Sequence, residues 1–136
     1  MDLTPPTLTG RFLTLEPLEE RHAPDLFEVM QDEEVCRYLV WAPPKRLDET
    51  LALIREAKQL MARSQSLVFA QIWNETGRCI GSTRLLDVRP ADRQVEIGAT
   101  FLARASWRTP ANTESKYLFL AHCFETLGCV RVALKT

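Results

Sequence analysis

The residues whose chemistry is easiest to interpret lie between a predicted strand and a predicted helix. The stretch Trp107 to Glu114 reads WRTPANTE and leads into a helix predicted from about Ala111 to Leu127. A helix N-terminus offers unpaired backbone N–H groups and the positive end of the helix dipole, which together attract anions. Arg108 adds a guanidinium that suits phosphate oxygens. The pattern indicates either a phosphate site or simply a polar helix start beside an arginine.

A second candidate for chemistry is Glu96, in the predicted strand Gln94 to Leu102 (QVEIGATFL). If no bulge intervenes, Glu96 shares a pleat face with Gly98 and Thr100. A positioned carboxylate can remove a proton from an amine, directly or through water. Glu96 is therefore a candidate general base, and the alternative is a solvated outward position on the strand. Gly98 is where we expect a bulge that opens the strand.

The histidines and cysteines indicate no metal site or nucleophile. His122 is expected to be solvated on its helix, and His22 has no evident partner in an acidic helix start. The four cysteines form no CxxC pair and no metal-ligand spacing, and each is flanked by apolar residues. We therefore expect small buried hydrophobic thiols and no bound metal. A phosphate loop of the GxxxxGK[ST] type is also absent from the sequence.

Periodicity predicts the elements that position these residues. Asp48 is expected to cap the longer of two early helical regions. Gly128 is expected to end the last helix. The buried face of that last helix would carry Tyr117, Leu120, Ala121, Phe124 and Leu127. The final strand reads as buried, and the strand–helix–strand unit that it ends should be a right-handed parallel crossover. The fold class is mixed α/β, with helices on a mainly antiparallel sheet. The predicted strands are Arg11 to Pro17, Leu67 to Trp73, Arg78 to Asp87, Gln94 to Leu102 and Cys129 to Leu134, and the early helices run from about Glu19 to Gln31 and from Asp48 to Arg63.

Length and composition set the remaining limits. The 136 residues suffice for one domain, residues 1–136, with an ordinary hydrophobic fraction of 46%. A formal net charge of −1 gives no long-range field that would gather nucleic acid or an anionic membrane. The first ten residues lack an apolar signal core, and no apolar run reaches membrane-spanning length. We expect a cytoplasmic protein with neither nucleic acid nor a membrane as partner.

Several motifs resemble the GNAT acetyltransferases, particularly the branch that includes ribosomal-protein N-terminal acetyltransferases. The most specific motifs are WRTPANTESK and the LxHCFExLG that follows it. The opening of that branch is matched by two upstream segments, GRFLTLEPLEERHAPDLFEVMQDEEVCRYLVW and GRCIGSTRLLD. The resemblance covers nearly the whole chain. It implies a GNAT fold and acetyl transfer from acetyl-coenzyme A (acetyl-CoA), as co-substrate, to a primary amine.

The resemblance also implies a role for individual residues. Arg108 to Thr113 occupies the family's phosphate-binding loop, although Pro110 removes one N–H donor. The strand before that loop would pair its freed backbone with the pantetheine arm, and a backbone N–H near Phe101 would polarise the thioester carbonyl. The resemblance does not itself assign the base; Glu96 stays the candidate for that role because of its place on the strand. The implied coenzyme contacts are Thr100, Phe101, Leu102, Arg108, Thr109, Ala111, Asn112 and Thr113.

Two questions stay open at this stage. The acceptor could be a protein N-terminus or a small-molecule amine, and a non-catalytic CoA-binding or assembly module is the alternative function.

Relatives continue past the position of Thr136 into a further helix and strands, so the expected fold lacks these final elements. An uncovered strand Cys129 to Leu134 invites pairing with another chain, which predicts a homodimer or higher oligomer. Trp41 either lines an acceptor cleft or packs in the core.

Overall fold

The computed structural model describes residues 1–37, 39 and 42–135. Trp41 therefore lies outside the described residues, and the expectation for it stays a prediction.

The main elements are connected by short 3₁₀ turns at Glu20–His22, Pro90–Asp92 and Arg104–Ser106 and by a π-helical turn at His122–Thr126. The strands are β1 (Leu8–Thr9), β2 (Leu13–Pro17), β3 (Val68–Trp73), β4 (Arg78–Arg89), β5 (Gln94–Leu102) and β6 (Arg131–Leu134), and the helices are α1 (Ala23–Val29), α2 (Glu33–Cys36), α3 (Leu47–Ala62) and α4 (Pro110–Ala121).

The strands form one sheet in the order β1-β2-β3-β4-β5-β6. Every neighbouring pair is antiparallel except β5 and β6, which run parallel from the pair Gln94–Arg131 to the pair Ile97–Leu134. Helix α4 lies between these two strands in the chain, so β5, α4 and β6 form the predicted crossover. The mixed α/β, mainly antiparallel fold is confirmed.

Helices cover both faces of the sheet, and each face has its own hydrophobic core. On one face, Phe69 of β3 meets Phe119 of α4 edge to face, with ring centroids 5.1 Å apart. On the other face, Leu26 and Ile54 pack from α1 and α3 over β3 and over Phe101 of β5. Strand β5 thus contributes side chains to both cores, which fixes its position in the sheet.

The predicted buried face of the last helix is wrong in part: Leu127 is buried and Leu120 packs against the core, but Tyr117 and Phe124 are not buried. Ala111, Ser115 and Phe119 face the core, whereas Tyr117 is 70% exposed and Phe124 is 47% exposed. His122, predicted to be solvated, is only 7% exposed. Both sides of this helix carry apolar residues, so periodicity alone could not decide between them. Small side chains at positions 111 and 115 let the helix approach the sheet closely, and the following π-helical turn alters the angular spacing of the residues that come next.

The start of α3 also differs from the prediction. Arg46 is the N-cap residue, with extended backbone angles, and the helix begins at Leu47. Asp48 lies in the first turn and does not cap the helix. The side chain that stabilises this end is Glu49, whose carboxylate accepts the Lys45 N–H at 2.5 Å. Its acidic charge also suits the positive end of the helix dipole.

Strand β6 is less buried than its apolar sequence predicts. Arg131 and Leu134 are exposed, with Leu134 at 46%, and Val132 and Ala133 are only half-buried. Within the described residues β6 lies at the edge of the sheet and pairs with β5 alone. Strand β6 therefore lies at the edge of the described sheet, although its apolar sequence is typical of a central parallel strand.

All four cysteines are buried and none is in a disulfide, as their apolar surroundings predict: Cys36, Cys79, Cys123 and Cys129. Burial raises the pKa of the Cys79 and Cys123 thiols to about 12. A buried thiol that stays protonated is a poor nucleophile and acts as a small hydrophobic side chain.

Candidate functional site

The loop before α4 has a left-handed backbone at a residue that is not glycine. Arg108 has φ = 61°, its side chain is exposed, and it forms no ion pair with any described residue. Across the described part of the chain, the backbone N–H groups of Arg108 and Thr109 find no acceptor. These two donors, an exposed guanidinium and the start of a twelve-residue helix therefore lie together. The arrangement can bind an anion such as a phosphate.

Thr109 is the N-cap residue of α4. Its Oγ1 accepts the Ala111 N–H at 3.2 Å and donates to the Ser106 carbonyl at 2.6 Å. Ala111 is fully buried and its N–H is already used, whereas the side chains of Asn112 and Thr113 are exposed. Of the loop residues expected to contact a coenzyme, Arg108, Asn112 and Thr113 are thus the most accessible.

Three contacts fix this loop to the rest of the protein. The Trp107 indole Nε1 donates to the Leu102 carbonyl at 2.9 Å, which closes the loop onto the end of β5. Arg104 bonds to Asp32 at 2.6 Å and lowers the pKa of that carboxyl. The carboxylate of Glu114 accepts the N–H groups of Phe12 and Leu13, both at 2.7 Å. The start of α4 is thereby held against β2 and β5.

Strand β5 contains the bulge that was expected near Gly98. Ala99 has φ = 46°, and the register with β4 shifts between the pairs Arg84–Gly98 and Ser82–Phe101. The extra residue turns Thr100 to the face opposite Glu96 and Gly98. The condition under which Glu96 and Thr100 would share a face is therefore not met, and the Thr100 hydroxyl bonds to that of Thr83 at 2.8 Å.

Beyond the bulge, β5 has no strand on its β6 side in the part of the chain that the structure describes. Pairing with β6 covers Gln94 to Ile97 and ends with the bond from Lys135 N–H to the Ile97 carbonyl at 3.0 Å. The backbone edge from Gly98 to Leu102 is left over on that side. An edge of this kind can bond to an extended ligand that carries amide groups.

Gln71 orients the residue that follows the bulge. The sequence pattern did not single out this glutamine. Its Nε2 donates to the Phe101 carbonyl at 3.1 Å, while its Oε1 is buried without a partner among the described residues. Gly81 makes room for this approach, because a Cβ there would lie 2.0 Å from the Phe101 carbonyl oxygen. A fully buried glutamine in the otherwise apolar strand VFAQIW was the signal available in the sequence.

Glu96 lies two residues before Gly98 on the same face and lines a cavity of about 190 Å³. Asp87, Arg89 and Arg131 line the same cavity, and Arg89 bonds to Asp87 at 3.1 Å. The carboxylate of Glu96 forms no hydrogen bond or ion pair with another described residue, so it can interact with solvent or a ligand. Two residues of strand, or about 7 Å, separate Glu96 from Gly98 at the bulge, a span that ordered waters can bridge.

His22 has partners that the sequence did not indicate. Its Nδ1 accepts the Glu19 N–H at 3.0 Å, and its Nε2 lies 3.1 Å from Glu16 Oε2. Partial burial opposes ionisation of Glu16, but bonds from His22 and Arg21 prevail and lower the pKa of this carboxyl. The cluster ties β2 to the turn before α1, so His22 has a structural role.

A metal centre and a membrane-spanning helix are two further features that a chain of this kind could contain. No three His, Cys, Asp or Glu side chains among the described residues lie close enough together to hold a metal ion. No helix in that part of the chain is both long and apolar enough to cross a membrane.

Comparison with known proteins identifies the class. The sequence profile of the acetyltransferase (GNAT) domain matches residues 13–136, so the chain belongs to the GNAT acetyltransferase family. No curated protein sequence matches the chain. Coenzyme binding and acetyl transfer are the chemistry that this family implies.

Solved structures agree with this assignment. A GCN5-related N-acetyltransferase from Brucella melitensis is 29% identical with a TM-score of 0.83, over 91% of this chain and 57% of that one. A candidate acetyltransferase from T. thermophilus is 32% identical with a TM-score of 0.80, over 99% of this chain and 69% of that one. RimL, a ribosomal L7/L12 α-N-protein acetyltransferase, shares the fold at 16% identity with a TM-score of 0.80, over 95% of this chain and 70% of that one. This chain thus spans little more than half of the Brucella protein.

Proposed function

We propose that this chain binds acetyl-CoA along the open edge of β5 and transfers its acetyl group to a primary amine. The observation that carries the proposal is the loop at Arg108, where two free backbone N–H groups and a guanidinium meet the start of α4. The pyrophosphate of the coenzyme would bind there. The pantetheine arm would then lie beside Thr100, Phe101 and Leu102, on the side of β5 that β6 leaves unpaired.

In the proposed reaction, Glu96, the backbone N–H of Phe101 and the side chain of Gln71 have separate roles in acetyl transfer. The amine attacks the thioester carbonyl carbon, the C–N bond forms, and the C–S bond breaks to release CoA as a thiolate that takes a proton from solvent. Glu96 accepts the proton of the ammonium through a water. A backbone N–H at Phe101 would stabilise the developing oxyanion, and Gln71 holds that residue through its carbonyl.

Calorimetry tests the coenzyme site. Arg108→Ala should weaken acetyl-CoA binding by about 1.5–3 kcal/mol, because a charge-assisted bond to phosphate is lost. Arg63→Ala is the matched control: Arg63 is an exposed arginine at the end of α3 without an ion pair among the described residues, and its loss should leave affinity unchanged. Equal affinities for wild type and Arg108→Ala would remove Arg108 from the site.

Steady-state kinetics test the base. Glu96→Gln keeps the shape of the side chain but cannot accept a proton, so kcat should fall about 10²-fold or more while CoA affinity stays nearly constant. Glu125→Gln, an exposed position on the π-helical turn, serves as control. Full turnover by Glu96→Gln at neutral pH would show that Glu96 is not the base.

The second candidate is a non-catalytic CoA-binding or assembly module. It is favoured by the reduced donor set of the loop, where Pro110 has no N–H and the Ala111 N–H is used by Thr109. Tight CoA binding without acetylation of any amine in a broad panel would support this reading. Acetylation of even one simple amine would exclude it.

We further propose that residues 1–136 act as one GNAT domain in the cytoplasm and form a homodimer. The four buried cysteines without disulfides suit a reducing compartment. The edge of β6, with Leu134 46% exposed and the preceding Val130 62% exposed, offers a surface for pairing with a second copy.

A further inference from the structure

A small cavity lies on the α1 and α3 face of the sheet, directly at the bulge in β5. Ser82 and Arg84 of β4 and Phe101 of β5 form its floor, and the register shift between these strands falls at the same residues. Its volume is about 30 Å³. The apolar wall above this floor consists of Leu26, Met30, Leu53 and Ile54.

Three polar side chains line this mostly apolar cavity, and the Ser82 hydroxyl is already used, because it donates to the Phe69 carbonyl at 2.9 Å. Thr50 is 1% exposed, and its Oγ1 has no partner within the described residues. Arg84 contributes a guanidinium whose pKa is lowered by burial, with Glu56 acting in the opposite direction. A guanidinium carries five N–H donors, so it can serve a ligand in addition to contacts within the protein. A group that a hydroxyl donor and a guanidinium can both bind is an anionic oxygen.

We propose that this cavity receives the carboxylate of the amine acceptor, so that the substrate is a small amino acid with a short apolar carbon chain. The inference rests on the proposed acetyl transfer and names its substrate class. Phe101 is shared between the cavity floor and the strand edge assigned to the pantetheine arm. A carboxylate bound by Thr50 and Arg84 therefore leaves the amine at the bulge, beside the thioester and within water-mediated reach of Glu96.

The size and charge of the cavity favour a free amino acid over a protein N-terminus. A space of about 30 Å³ accommodates roughly one water-sized group or a carboxylate, but not a continuing peptide chain. A peptide N-terminus would also present a neutral carbonyl to Arg84. A guanidinium binds a carboxylate, which carries a full negative charge, more strongly than it binds a neutral carbonyl.

The experiment compares four acceptors with the wild-type chain and acetyl-CoA: L-alanine, alaninamide, ethylamine and alanyl-alanine. We expect kcat/KM for L-alanine to exceed that for alaninamide by about tenfold or more, the effect of a hydrogen bond to a charged group. Thr50→Val and Arg84→Met should each reduce this ratio, whereas Thr50→Ser, which keeps the hydroxyl, should retain it. Because the ratio is measured within each variant, a partial loss of folded protein does not affect it.

Each outcome decides between the alternatives. An alanine-to-alaninamide ratio near one in the wild type overturns the inference and leaves the proposed function intact. Preference for alanyl-alanine over alanine overturns it in favour of a protein N-terminus. If no amine is acetylated, the proposed function fails, and methyl NMR then tests the cavity alone. Shifts of the Thr50 and Met30 methyl signals with L-alanine but not alaninamide would support the carboxylate site, and their absence would refute it.

Discussion

Glu114 should determine how firmly the start of α4 is held. One oxygen, Oε1, accepts the N–H groups of Phe12 and Leu13, both at 2.7 Å, and links residues more than one hundred positions apart. A hydrogen bond to a charged group contributes about 1.5–3 kcal/mol, and partial exposure of this carboxylate reduces the sum of two. Glu114→Ala should therefore lower the free energy of unfolding by about 2–4 kcal/mol, or roughly 6–12 °C in Tm for a chain of this length.

Urea denaturation and thermal melts measure this effect, and two variants control it. Glu114→Gln keeps an oxygen at the same place but loses the charge, so its stability should fall between those of wild type and Glu114→Ala. Glu75→Ala, in an exposed turn without a side-chain partner among the described residues, should change stability by less than about 0.5 kcal/mol.

A double-mutant cycle sharpens the test. A Cβ added at Gly10 would lie 2.3 Å from Glu114 Oε1, so Gly10→Ala should destabilise the wild type strongly. It should cost less in the Glu114→Ala background, although contact with the Leu13 carbonyl at 2.7 Å remains. The reasoning is refuted if Glu114→Ala unfolds within about 0.5 kcal/mol of the wild type, the range of ordinary surface substitutions.

Three further predictions follow from individual residues. Arg108→Gly should be about 1 kcal/mol more stable than Arg108→Ala in urea denaturation, because glycine adopts φ = 61° without strain. Equal stabilities of the two variants would contradict a left-handed backbone at position 108. Burial lowers the pKa of His122, so the unfolded chain, with a pKa near 6.5, binds the proton more readily than the folded chain. Stability should therefore fall as pH decreases through the interval between the two pKa values, by up to about 1.4 kcal/mol per pH unit. His122→Phe should flatten the dependence of Tm on pH between pH 7 and 5, and an unchanged slope would exclude this histidine. The wild-type chain should sediment as a dimer at micromolar concentration and Leu134→Lys as a monomer, whereas a monomeric wild type would refute pairing through β6.

The order of the main strands and helices along the chain was accessible from the sequence, although β1 was not predicted. The extended segments of β3, β4 and β5 and the helix after Pro110 are local patterns that the tertiary structure preserves. The bulge near Gly98 was likewise expected from a glycine within a strand. Local propensities and the tertiary fold agree in these segments, which is why the predictions were correct there.

The orientation of α4 was decided by tertiary packing. Tyr117 and Phe124 are apolar at helical spacing, yet they are exposed, while His122 and Ser115 face the sheet. A helix with apolar residues on two sides can turn either of them inward. The choice depends on which side allows close approach to the strands, and that information does not lie within the helix.

The sequence by itself determined the kinds of chemical group available: Arg108 before a helix, Glu96 on a strand, and a formal net charge of −1. Only the tertiary structure decided which groups meet. The bulge at Ala99 separates Thr100 from Glu96, and it brings the cavity of Thr50 and Arg84 against Phe101. These residues come from a helix and two strands that are distant in the chain. Their proximity depends on strand register and helix packing, which no local pattern specifies.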